Sequence, residues 1–150
     1  MRVWWQISAL VLLLCSLGVA KTETAADLKT RADNAHGADQ AKLCVEFAQA
    51  ELEQANALFT AGDVEQAQSA VGTVMEYVRK GASAAKSSGK RLKQTEIELR
   101  KLQKRMKDIA ESLNIDDRPA VLKSVDEIEQ VRAGLLMAMF GPQSEPKAKS

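Results

Sequence analysis

From residue 39 onward the apolar positions recur at steps of three and four, the spacing that lines one face of an α-helix. Leu43, Cys44, Phe47, Ala48, Leu52, Ala55, Leu58 and Phe59 make a first stripe, with Glu46, Glu51, Glu53 and Gln54 mostly opposite. Val64, Ala67, Val71, Val74, Val78, Gly81 and Ala85 make a second. Small residues in the same helix, Gly72, Gly81 and Ala82, predict that a neighbouring backbone approaches closely. The third stripe is the most regular: Leu92, Thr95, Leu99, Leu102, Met106, Ile109 and Leu113. Three heptads of it suit a bundle seam or a short coiled coil. Val121, Val125, Ile128, Leu135 and Met139 mark a fourth, interrupted by Arg132.

The residues between these stripes are those that stop and start helices. Gly62 ends one and Asp63 caps the next. Residues 86–90 are either a short linker or a weak point in a helix, with Ser87-Ser88-Gly89 the breaker signal. In the turn Asn114-Ile115-Asp116-Asp117-Arg118-Pro119, Asp117 can cap and Pro119 falls in a first turn, where its missing N–H is no loss. Gly141-Pro142 closes the last pattern, ahead of a disordered polar tail over residues 141–150. Residues 21–30 are polar and expected to fray. His36-Gly37 either ends a short leading helix or is run through by a longer one. The expected fold is all-α: an antiparallel bundle of about four helices over residues 21–140, built from the hairpins 39–85 and 91–139.

Composition agrees with this. The chain has 150 residues, 45% hydrophobic and only 4% aromatic, so a core must be built from Ala, Val, Leu, Ile and Met. That suits helix on helix better than a sheet sandwich. Residues 1–20 differ in kind: Arg2 precedes a run that is apolar almost throughout residues 3–19, and Gly18-Val19-Ala20 offers small residues before Lys21. A cleaved secretory signal is the expectation. Retention as a membrane anchor, or lipidation at Cys15 after Leu12-Leu13-Leu14, are the alternatives. Cleavage leaves Cys44 as one cysteine, which permits no internal disulfide, and no transmembrane helix. Periplasm or cell exterior is the expected location.

The overall charge of +1 hides a segregation. Residues 21–76 hold four basic and ten acidic side chains; residues 77–107 hold eleven and two; residues 108–150 hold five and eight. A basic rod is thus set among acidic neighbours. One reading is that the pattern selects which helices lie side by side, through rim pairs of up to about 1 kcal/mol each. The other is an exposed basic face for an anionic partner, with Lys90, Lys93, Arg100, Lys101, Lys104 and Lys107 as the candidate binding residues. Nucleic acid is not the expected partner, because no aromatics interleave the basic positions.

Catalytic chemistry finds little support. His36 is the single histidine, no Gly-x-Ser-x-Gly elbow is present, and no glycine-rich loop can cradle phosphate. Met75, Met106, Met137 and Met139 could ligate haem but sit at core spacing, and no Cys-x-x-Cys-His attaches one. Zinc needs clustered His or Cys. The pairs Glu51/Glu53 and Glu96/Glu98 are two apart, on different faces of a helix, and do not make a carboxylate site. No catalytic residue, metal ligand or cofactor is expected. Cys44 reads as a buried thiol, with an intermolecular disulfide as the alternative.

Ala55, Leu58, Gly62, Asp63, Ala67, Val71 and Val74 resemble the centre of a tetratricopeptide-repeat motif. The resemblance implies a helix–turn–helix that stacks on neighbours and serves protein binding. It covers one hairpin; Val64 stands where the family carries an aromatic, and no second copy follows. In its general look the chain is similar to exported helical proteins of bacteria. The expected function is a non-enzymatic, exported interaction or scaffold protein. It binds a protein or an anionic envelope component through its basic helix face. The alternative is a structural protein that self-associates along the residue 92–113 stripe.

Overall fold

The computed structural model describes residues 23–141. Residues 1–20, where a secretory signal is expected, and the tail beyond Gly141 lie outside the described residues. Every regular element described is helical: α1 (Ala25–Asn34), α2 (Gly37–Ala61), α3 (Val64–Ser88), α4 (Leu92–Ser112) and α5 (Arg118–Phe140). The helices number five rather than about four, because the chain breaks at Ala35 and His36 instead of running through. Within residues 21–30, expected to fray, lies an organised helix start. The Thr24 hydroxyl accepts from the Asp27 N–H, and the Asp27 carboxylate accepts from the Thr24 N–H, a reciprocal capping box.

The corners follow the sequence signals. Gly62 takes the left-handed conformation at φ 83°, its N–H bonding to the Phe59 carbonyl while the Asp63 N–H bonds to that of Leu58. The Asp63 carboxylate then accepts from the Gln66 N–H at 3.2 Å and starts α3. Ser87-Ser88-Gly89 terminates α3 outright, with Gly89 left-handed at φ 65° and Arg91 left-handed at φ 61° just before α4. Asp117 sits at the cap position of α5 but makes no side-chain cap bond; instead Arg118 Nε donates to the Leu113 carbonyl at 2.8 Å and ties the turn together.

The cross-helix pairs set the directions. Cys44 meets Gly81 and Gly37 meets Ser88, so α2 and α3 are antiparallel. Glu96 meets Arg132 and Gln103 meets Glu129, so α4 and α5 are antiparallel too. Gln49 with Glu98 and Glu53 with Arg105 make α2 parallel to α4, and Arg79 with Glu127 makes α3 parallel to α5. The result is an up-down-up-down bundle, with α1 packed chiefly on α2. Leu52, Val74, Val78, Leu99, Leu102, Met106, Ile109, Val121, Ile128 and Leu135 fill the centre.

Of the small residues expected at a close approach, Gly81 qualifies and Gly72 does not. A methyl on Gly81 would stand 3.2 Å from Cys44 Cβ and 3.3 Å from the Ala41 carbonyl oxygen. Gly72 is exposed and has nothing within 4 Å of that position. It lies off the stripe, so its missing side chain brings no helix closer.

Candidate functional site

Lys93, Arg100, Lys104 and Lys107 follow one another at helical steps of seven, four and three, and all are exposed along the outer face of α4. Lys101 flanks them, and Lys90 sits in the corner ahead of the helix. The basic face is therefore real as a surface. Its charges are not equally available. Arg100 donates to Glu96 at 2.9 Å, Lys101 lies 3.1 Å from Glu98, and Lys107 lies 3.9 Å from Glu111. Arg105, outside the candidate set, forks onto Glu53 of α2 at 2.7 and 2.8 Å. Lys90, Lys93 and Lys104 enter no ion pair among the described residues, and neither does Lys86 at the end of α3. The C-terminal part of the rod is largely matched by carboxylates of the protein itself. Lys86, Lys90 and Lys93, where α3 hands over to α4, have no ion-pair partner among the described residues.

The most deeply placed of these carboxylates is Glu96, which spacing within its own helix does not distinguish from Glu98. Glu96 is only 3% exposed, wedged between α4 and α5. Its Oε1 accepts from Arg132 Nη2 at 2.8 Å and Nε at 3.1 Å, and its Oε2 from Arg100 Nη2 at 2.9 Å. Arg132 also donates to Gln103 Oε1 at 2.6 Å and to Glu129 at 2.8 Å. Burial by itself would raise the Glu96 pKa; the bonds from Arg132 and then Arg100 overcome it, and the carboxyl sits below the usual range. This explains the arginine that interrupts the α5 stripe: it crosses the seam to a partner. The signal was present as a charge on the core face of one helix and a carboxylate beside the core stripe of its antiparallel neighbour.

A second polar cluster ties α1 to α3. The buried Tyr77 packs edge-on against Phe47, ring centres 4.5 Å apart, and its hydroxyl donates to Asp33 at 2.7 Å. Lys80 donates to the same carboxylate oxygen at 2.6 Å. The bonds from Lys80 and then Tyr77 hold the Asp33 pKa down at about 2. Nearby, Cys44 is fully buried and unpaired, and burial pushes its thiol up to about 11. A thiol so placed is protonated and a poor nucleophile at neutral pH.

Among the described residues no group of three or more His, Cys, Asp and Glu side chains is placed to hold a metal ion. His36 is exposed at the start of α2 and makes no side-chain cap bond. A groove of about 520 Å³ between α1 and α2 is bordered by Arg31, Asp39 and Lys42. The stripe from Leu92 to Leu113 is used inside the chain, with Leu99, Leu102, Met106 and Ile109 buried in the common core. Pairing between chains along it would require the bundle to open. No helix among the described residues is long and apolar enough to cross a membrane.

A scan against family models finds no match to this chain, and searches of curated proteins and of solved structures find none either.

Proposed function

We propose that the protein is a non-enzymatic interaction module of the cell envelope, exported by its N-terminal segment, that docks an anionic partner through the α3–α4 corner. Lys86, Lys90 and Lys93 are the primary contacts and Lys104 extends the surface along α4. Arg100, Lys101 and Lys107 serve mainly the fold. The observation that carries this reading is the contrast in pairing: Arg100, Lys101 and Lys107 of α4 lie beside Glu96, Glu98 and Glu111, while the cations of the corner are exposed and have no partner carboxylate among the described residues. An unpaired exposed lysine has no internal partner to give up when it meets an anion. The α2–α3 hairpin, with its repeat-like turn at Gly62-Asp63, is the frame that holds the corner.

Retention of the chain on an immobilised sulfated dextran, eluted with a sodium chloride gradient, tests the assignment. Two double variants of equal charge separate the regions. K90Q/K93Q is expected to weaken binding roughly tenfold or more, at about 1 kcal/mol per cation near an anionic surface. K101Q/K107Q is expected to change it by less than about twofold, because those lysines already face carboxylates of the chain. Equal effects from the two variants would mean that net charge alone acts, and the corner would lose its role. Binding that survives high salt would remove the electrostatic reading altogether.

A further inference from the structure

The unpaired cations share their end of the bundle with a cluster of exposed large apolar side chains, whereas Ile115, 77% exposed, stands alone in the α4–α5 turn at the other end. Met137 and Phe140 are 71% and 78% exposed, and Leu136 beside them is 37% exposed. On α5 these three lie at steps of one, three and four and cover one side of the last turn. Register explains why no other described helix packs on them. Arg79 bonds Glu127, 48 residues on, and Lys86 Nζ lies 3.8 Å from where a Cβ on Gly134 would stand. Continuing that parallel pairing sets Leu136 level with Ser88, where α3 stops. The antiparallel partners Glu96 and Arg132 place the first residue of α4 at the same level. The last turn of α5 therefore overhangs both of its supporting helices.

Around this overhang the charge is basic: Lys86, Lys90, Arg91 and Lys93 are exposed there, against Asp39 at the nearby start of α2. The far end of the bundle carries Asp63, Glu65, Glu111, Asp116 and Asp117 against Lys107 and Arg118, and stays acidic on balance. The molecule is polarised along its length, and an anionic plane would orient it with the overhang foremost.

We propose that this end is a docking tip for an anionic lipid surface, in which Met137 and Phe140 enter the boundary between head groups and acyl chains while Lys86, Lys90 and Lys93 meet lipid phosphates. The inference rests on the docking function proposed above and specifies its partner as a bilayer. Apolar anchors ringed by lysines are the composition of a surface-lying contact rather than a span, and no described helix is built to cross. A second copy fits less well: a two-fold contact through Phe140 would bring each lysine cluster toward its own image.

The test uses the chain from Lys21 onward, as cleavage of the export signal leaves it and without a tryptophan of its own, with a single tryptophan introduced by Phe140→Trp. With phosphatidylglycerol vesicles its emission is expected to shift to the blue and to be quenched by brominated acyl chains; phosphatidylcholine vesicles should do neither. M137E/F140E should lower partitioning onto phosphatidylglycerol roughly tenfold or more, and K90Q/K93Q by a similar factor. Both sites are exposed, so circular dichroism melts should match those of the unaltered chain. Salt-sensitive binding that K90Q/K93Q weakens, with the introduced tryptophan unquenched and M137E/F140E binding as before, overturns the lipid tip and leaves the cationic docking intact. Vesicle and sulfated-dextran binding unaltered in both variants overturns the two together. A concentration-dependent dimer in sedimentation that F140E abolishes would overturn the lipid tip and reassign the overhang as a contact between copies.

Discussion

The two hairpins of this bundle look alike in outline and are held by opposite means. Between α2 and α3 the seam is made of closeness: Ala41, Ala48, Ala55, Ala67, Ala70, Ala82 and Ala85 are buried, and Gly81 lets the backbones meet. Between α4 and α5 the apolar contact is flanked by a polar bridge in which Glu96, Gln103, Glu129 and Arg132 share hydrogen bonds across the helices. A small-residue seam fixes depth and spacing, because any larger side chain has nowhere to go. A buried ion pair fixes register, because sliding one helix by a turn strands a charge. The first hairpin is thus specified by volume and the second by charge.

The sharpest way to break this contrast is at Gly81. Gly81→Leu should destabilise the fold by about 3 kcal/mol or more, the upper end of overpacking costs. Gly72→Leu, in open space, should cost nothing and can gain up to about 1 kcal/mol from helix propensity. Urea melts of the two variants measure the difference; similar midpoints would mean that closeness does not hold the first seam. For the second seam, Glu96→Leu should cost about 2–3 kcal/mol, since Arg132 keeps only Gln103 and Glu129. Adding Arg132→Met should restore much of that stability, because a matched apolar pair replaces a matched charged one. A double variant no more stable than the single would show that the bridge does more than fix register.

Smaller effects refine the picture. Gly62→Val should lose about 1–2 kcal/mol by backbone strain alone, because no neighbour lies within 4 Å of a Cβ there. Thermal unfolding reads that loss, and an unchanged midpoint would mean that the corner does not depend on its left-handed residue. The smallest effect belongs to Asp33. Its folded-state pKa of about 2 lies below the ordinary 3.8, so its contribution is present above about pH 4 and lost as pH falls through 2. Its side chain is 36% exposed, which keeps the contribution under about 1 kcal/mol. The stability gap between the unaltered chain and Asp33→Asn should accordingly narrow steadily from about pH 5 down to pH 2. A gap that stays constant over that range would assign the role to shape rather than charge.

The first hairpin was largely legible in the sequence. Most of its stripe residues are buried, and its turn falls at Gly62-Asp63, because apolar period and turn chemistry are local properties that a single segment displays. The break at Ser87-Ser88-Gly89 and the turn before Pro119 were legible for the same reason. The second hairpin was legible only as an outline. Glu96 looked no different from Glu98 because rules of spacing within one helix say nothing about a partner on another. Gly72 and Gly81 were equivalent as letters, and only the packed face tells them apart. The basic face was visible as composition. Which of its cations stay free depends on the rotamers and pairings of Glu96, Glu98 and Glu111, which no periodicity encodes. The overhang of α5 depends on where two other helices stop, and so on register between chain segments far apart.

Cys44 faces Gly81 across the tightest part of the first seam, and that position makes it a clock. Its sulfur is out of reach of solvent while α2 and α3 are in contact. Modification by a small alkylating reagent must therefore wait for the hairpin to part, and at saturating reagent the rate of labelling equals the rate of parting. At low reagent the same thiol reports the fraction of time spent open. Without any introduced probe, the first hairpin carries a means of timing its own breathing.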